Sequence, residues 1–140
     1  MTPAEFIPAF IEGWTRSQPD DWIDYFRPLV HPDVVVTQPM LPTAVGPDAY
    51  MNGFRKTFDL MRDMAVEVLS TAVSEDAVVI ESRVSATIGG RRFSFDVADR
   101  FAFRDGLIYR RASYFDPMPI IVAVLLRPWV LPTVLRGLRG

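Results

Sequence analysis

The segment Phe93-Ser-Phe-Asp-Val-Ala-Asp-Arg-Phe-Ala-Phe103 places apolar residues at Phe93, Phe95, Val97, Phe101 and Phe103, with Asp99 in the one remaining position of the alternation. Strand side chains alternate between faces, so these six residues point to the same side of a sheet. A carboxylate moved from water onto that side costs several kcal/mol unless it is hydrogen-bonded, paired or protonated. Asp99 is therefore either a satisfied structural acid at a sheet edge or bulge, or a functional group tuned by its surroundings.

Turn signals bound this strand on both sides. Gly89-Gly90 precedes it and Asp105-Gly106 follows it, and both dipeptides favour two-residue antiparallel hairpins. Strands are expected near 65–73, 77–88, 92–103 and 107–116, the last three forming a meander. Upstream, Thr2-Pro3-Ala4-Glu5 is a capping box with proline at the first helical position, followed by Phe6, Ile7, Phe10, Ile11 and Trp14 at helical spacing. A second short helix carries Trp22, Ile23 and Phe26, and His31-Pro32-Asp33 turns into a strand at Val34–Thr37. Gly46-Pro47-Asp48 opens a third helix with Tyr50, Met51, Phe54, Phe58 and Met61 on one side. Helices first, then a curved, mainly antiparallel sheet, is an α+β architecture.

A two-residue turn at Asp105-Gly106 sets Leu107 opposite Arg104. Extended along the hairpin, that register pairs Asp99 with Ala112 and Phe95 with Asp116, and opposed residues share a face. Asp116 then joins Asp99 beside Ile108 and Tyr114 in an apolar cavity with two carboxyls and a phenol. A bulge or a longer loop reverses the parity and turns Asp116 outward.

Composition narrows the chemistry. The 140 residues, 49% of them hydrophobic, fit one compact domain. The chain has no cysteine and one histidine, His31, so neither a disulfide framework nor a zinc site built from Cys and His is expected. His31 reads more simply as a backbone-satisfied turn residue than as a base. A net charge of −2 with scattered basic residues provides no stripe for nucleic acid. The N-terminus lacks the pattern of a signal peptide, so a cytoplasmic protein is expected. Pro119-Ile-Ile-Val-Ala-Val-Leu-Leu126 is apolar but broken by Arg127 and Pro128, too short for the roughly 20 residues of a spanning helix. Residues 118–140 are expected to extend the 1–117 domain as a lid, a dimer interface or a membrane-surface segment.

The element order, Gly46-Pro-Asp-Ala, Asp99-Arg-Phe-Ala-Phe-Arg-Asp-Gly-Leu-Ile108 and Ser113-Tyr-Phe-Asp116 together resemble the nuclear-transport-factor-2-like (SnoaL-like) cone fold over residues 3–117. That superfamily includes ketosteroid isomerases, polyketide cyclases and limonene-type epoxide hydrolases. The resemblance implies a bent sheet wrapped around helices, an apolar interior for a small molecule, and a homodimer. Asp99 matches the isomerase acid of the oxyanion hole, while the place of the isomerase base falls on Thr37 or Gln38, neither of which is a base. Asp116 and Arg83 match a carboxylate and the arginine of the epoxide hydrolases. The second hydrolase carboxylate is replaced by Ser85, and the water-holding positions fall on Val36 and Gln38.

The expectation is thus a pocket enzyme without metal or organic cofactor, with Asp99, Asp116 and Arg83 as catalytic candidates. One carboxyl would be kept neutral by burial and like charge while the other is held ionised by arginine. Gln38, Trp14, Phe54, Phe95, Val97 and Tyr114 would line an apolar substrate. Isomerase or cyclase chemistry is the leading reading, followed by epoxide hydrolysis and by a non-catalytic binding or dimerisation module. Hairpin parity sets Arg83 on the face opposite to Asp99, whereas the resemblance sets it in the pocket.

Overall fold

The structure is a computed structural model and describes residues 1–138. Helix α1 (Pro3–Gly13) starts at the expected capping box, in which the Glu5 amide donates to Thr2 Oγ1 and the Thr2 amide donates to Glu5 Oε2, each at 3.2 Å. It buries Phe6 and Phe10, α2 (Pro19–Phe26) buries Trp22, Ile23 and Phe26, and α3 (Pro47–Leu60) buries Tyr50, Met51, Phe54 and Phe58. Their apolar faces meet in one aromatic-rich core, where Trp22 stacks on Phe54 and Phe6 lies 4.7 Å from Phe101, ring centre to ring centre.

Six strands form one curved sheet: β1 (Val30–Thr37), β2 (Ala44–Val45), β3 (Ala65–Val73), β4 (Ala77–Ile88), β5 (Arg91–Arg104) and β6 (Leu107–Phe115). Their spatial order is β2-β1-β6-β5-β4-β3, antiparallel except where β1 runs parallel to β6. The turns at Gly89-Gly90 and Asp105-Gly106 are both two-residue hairpins, with Ile88 paired to Arg91 and Arg104 paired to Leu107. All four turn residues have positive φ, the conformation that Asn, Asp and Gly tolerate. β1 starts earlier than expected and contains His31, whose Nδ1 accepts the Asp33 amide at 3.0 Å.

The β5–β6 hairpin departs from simple parity. Arg104↔Leu107 and Phe103↔Ile108 pair in step, but Ala102 then faces Arg110, leaving Tyr109 as a bulge. One extra residue on one strand reverses the facing of everything beyond it. Asp99 consequently faces Ser113 rather than Ala112, and Phe101 faces Arg111. Read outward along the concave face, Val78, Phe101, Arg111 and Val36 form one row across four strands. Ile80, Asp99 and Ser113 form the next, and Ser82, Val97 and Phe115 the one after.

Beyond these rows lies a second core cluster. Helix α4 (Met118–Leu125) buries Ile120, Ala123 and Val124 against Met61, Ala86 and Ile88, with Phe93, Phe95 and Phe115 packed beside them. A short 3-10 turn leads to α5 (Leu131–Leu138), whose Val134 joins the cluster. Arg127 Nε donates to the Gly89 carbonyl at 3.1 Å, and its side chain packs where a Cβ on Gly89 would stand. The C-terminal segment therefore closes the end of the cone and shares its core. The last two residues of the expected 118–140 extension lie outside the described residues.

Asp63 fastens the loop after α3 to the β4–β5 hairpin, accepting from the Thr87 amide and hydroxyl at 2.7 Å each and from Arg92 at 3.0 Å. The Thr87 hydroxyl bond, ahead of the backbone bonds and the Arg92 charge, lowers the Asp63 pKa below its ordinary 3.8. A depressed carboxyl stabilises the fold above its unfolded pKa, and that stability is lost as pH falls through the folded value. Asp63→Asn is expected to be less stable than the wild type at neutral pH, with the difference closing below pH 3.8. Urea melts across an acid pH series check this, and a gap that persists unchanged through the acid range contradicts it.

Candidate functional site

Asp99 is 4% exposed, and its Oδ1 accepts from Arg111 Nη2 at 3.0 Å and from the Ser113 hydroxyl. The strands dictate this grouping: Asp99 faces Ser113 directly, and Arg111 is the next inward residue of β6 after the bulge. Arg111 itself is largely buried, its side chain 16% exposed, with its guanidinium carbon 5.7 Å from the Tyr50 ring centre and 5.9 Å from that of Phe101. Burial works against the Arg111 charge, but Asp99 and Tyr50 together outweigh it and hold the pKa above the ordinary value. Burial also raises the Tyr50 phenol, and Asp99 adds to the rise while Arg111 opposes it, so Tyr50 is a neutral donor at physiological pH.

Two buried donors nearby have no partner among the described residues: Arg111 Nε and the Ser82 hydroxyl. Ser82 lies on the concave face one row from Asp99 and is fully buried. Buried polar groups are nearly always satisfied, so these two donors stand out as the unpaired polar atoms around Asp99. The arrangement offers one carboxylate, one fixed cation, one phenol and spare donors on an otherwise apolar wall.

The remaining candidates are dispersed. Asp116 is exposed just after β6 and accepts the Met118 amide at 2.9 Å, an N-terminal contact of α4. Arg83 lies on the convex face, where its Nε meets Asp96 Oδ1 at 3.0 Å and its Nη2 meets Oδ2 at 3.3 Å. Tyr114 is 63% exposed on that same outer side. The expected cavity joining Asp99 to Asp116 and Tyr114 does not form, because the Tyr109 bulge turns the end of β6 over, and Arg83 follows hairpin parity outward. Trp14 and Phe54 sit in the main core, Val97 and Phe95 point inward along β5, and Gln38 follows β1 at intermediate burial.

Arg111, Ser113, Tyr50 and Ser82 were not singled out from the sequence. Arg110-Arg111 reads as a solvated pair and Tyr50 as a core aromatic. The available signal was Asp99 itself: a carboxyl on an apolar face needs a cation, and one bulged residue in the hairpin brings Arg111 to it.

Two surface grooves lie away from Asp99. One lies on polar residues of α1 and α2, including Glu12, Arg16 and Asp24. The other runs between α1 and β3 along Phe10, Ile11, Trp14, Val66 and Val68. The Trp14 indole N–H is buried there with no partner among the described residues. Counted from the cone end covered by α4, Phe95 and Phe115 come first along the concave face, then Val97, then Asp99. Among the described residues no group of three or more His, Asp or Glu side chains is arranged to hold a metal ion.

The SnoaL-like domain model matches residues 7–111, three quarters of the chain, and the protein belongs to that family. Solved structures agree on the fold. A candidate SnoaL-like polyketide cyclase from Jannaschia sp. CCS1 superposes with a TM-score of 0.75 at 16% identity, covering 84% of this chain and 90% of that one. An LEH-like epoxide hydrolase of M. tuberculosis gives 0.68 at 21%, over 92% and 96%. A protein from Catenulispora acidiphila with a ketosteroid isomerase-like fold, in complex with trimethylamine, gives 0.69 at 20%, over 83% and 88%. At these identities the likeness establishes the fold alone. No curated protein sequence matches the chain.

Proposed function

We propose that the chain binds an apolar small molecule inside the cone and carries out cofactor-independent acid–base chemistry at Asp99. The observation carrying this reading is the buried Asp99–Arg111 pair, with Arg111 Nε unpartnered and the unpartnered Ser82 hydroxyl one row away. Asp99 accepts from both of its neighbours, the arrangement of a carboxylate, so the role it fits is a base rather than the proton donor implied by the isomerase resemblance. A substrate carbonyl beside Arg111 Nε and the Tyr50 hydroxyl would have its developing oxyanion stabilised while Asp99 removes a proton from the adjacent carbon. Proton return to a different carbon gives isomerisation, and attack of the same carbanion on a second carbonyl gives cyclisation. The hydrolase reading has less support, because Arg83 and Asp116 both lie outside the cone.

Deuterium incorporation into apolar cyclic ketones and enones in heavy water, followed by NMR, tests this. The wild type should exchange the proton next to the carbonyl, and Asp99→Asn should do so slower by roughly 10²- to 10⁴-fold, the usual contribution of a positioned base.

A binding-only module is the second reading, because neither Thr37 nor Gln38, at the position of the isomerase base, is a base. Saturable binding of those ketones without any exchange would favour it.

A further inference from the structure

The C-terminal helices are apolar on two sides. α4 turns Ile120, Ala123 and Val124 into the core, while Met118, Val122 and Leu125, spaced i, i+4, i+7, form a second stripe facing solvent. α5 repeats the pattern, with Val134 toward the core and Leu131, Leu135 and Leu138 exposed at 39%, 50% and 45%. Between them Leu125 is 70% exposed, Leu126 58% and Trp129 66%. Eight of the fourteen large apolar residues exposed among the described residues lie in this segment, a concentration that points to a partner.

We propose that this surface rests on an anionic lipid membrane, with α4 and α5 lying in the plane of the interface. Charge selects lipid over a second copy of the chain. From Pro117 to Gly140 the sequence has three arginines and no acidic residue, and of the two that the structure describes Arg136 is exposed while Arg127 is held against the Gly89 carbonyl. A two-fold contact through this segment would bring both copies' arginines into one interface, where Asp116 just before α4 is the nearest acid in the sequence. The hairpin tip beside the segment adds Arg91, exposed and in no ion pair among the described residues. Arginines around exposed leucines and a tryptophan are the composition of an interfacial segment attracted to anionic headgroups. Geometry selects the interface over a span. Among the described residues no single helix is long and apolar enough to cross a membrane, and the stretches Met118–Leu125 and Pro128–Leu138 are bent by 103° relative to each other.

Flotation of the full-length chain with phosphatidylcholine vesicles, with and without phosphatidylglycerol, tests the proposal. The wild type should float with the phosphatidylglycerol vesicles and be released by added salt. Leu125→Asp/Leu135→Asp, whose positions are exposed, should lower partitioning by more than about tenfold while leaving circular dichroism unchanged. Trp129→Phe should remove the blue shift of tryptophan emission on vesicle binding, leaving Trp14 and Trp22 as the unshifted background. Wild-type protein that stays in solution with both vesicle types overturns the proposal. So does a wild-type dimer that the double substitution converts to monomer without any vesicle binding.

Discussion

Asp99→Ala is expected to lose about 3–5 kcal/mol of folding stability, because it leaves the Arg111 guanidinium buried without its counter-charge. The loss exceeds the worth of the contact itself. Arg111 has water on only a small part of its surface, and what surrounds it otherwise is Tyr50, Phe101 and the strands. Ser113 loses its acceptor in the same substitution and adds to the effect. Replacing both charges, as Asp99→Leu/Arg111→Met, should recover most of the loss, since a buried pair and an apolar pair of similar volume are often of comparable stability. Chemical denaturation of the two variants checks this. Asp99→Ala within about 1 kcal/mol of wild type would show the pair to be as weak as a surface ion pair. The recovered double variant then separates function from fold: it should be stable and inactive.

The second large effect is expected at Phe6. Its side chain is fully buried, and its ring lies 5.9 Å from that of Phe10 and 5.4 Å from that of Phe103, in addition to the Phe101 contact. Phe6 thus joins α1 to the two inward residues of β5 that follow Asp99. Phe6→Ala removes the transfer free energy of the ring and leaves a cavity that helix and sheet only partly close, costing about 3–5 kcal/mol. Val45→Ala, at a position 67% exposed on the edge strand, should stay within about 0.5 kcal/mol of wild type. Thermal and urea unfolding of the pair measure the contrast, and equal effects at the two positions would contradict the assignment of Phe6 to the centre of the core.

The local elements were legible because each rests on chemistry confined to a few residues. Thr2 and Glu5 fix the start of α1, Gly89-Gly90 and Asp105-Gly106 fix two hairpins, and the apolar alternation along β5 identifies its inward face. Asp99 stood out for the same reason, as one polar residue in a short repeating pattern. The facing of β6 was not legible, because the bulge at Tyr109 has no turn residue to announce it. Its effect then spreads to Arg111, Ser113, Tyr114 and Asp116 together. Neither was the parallel pairing of β1 with β6 available from local pattern, since β1 joins the far side of a hairpin that lies about 70 residues later and is set by the packing of the whole cone. Arg83 shows the limit of resemblance from the other side: hairpin parity placed it correctly on the convex face, where it pairs with Asp96.

The central claim is that the Asp99 carboxylate is the point of contact with a ligand inside the cone. The most direct measurement is the ¹³C NMR signal of the Asp99 side-chain carboxyl, assigned with Asp99→Asn, during titration with the panel of apolar cyclic ketones and enones. The account predicts that at least one ketone or enone moves the Asp99 signal saturably while the exposed Asp116 signal stays in place. An Asp99 signal indifferent to every compound, in protein that nevertheless binds one of them, would contradict it and locate the ligand elsewhere in the molecule.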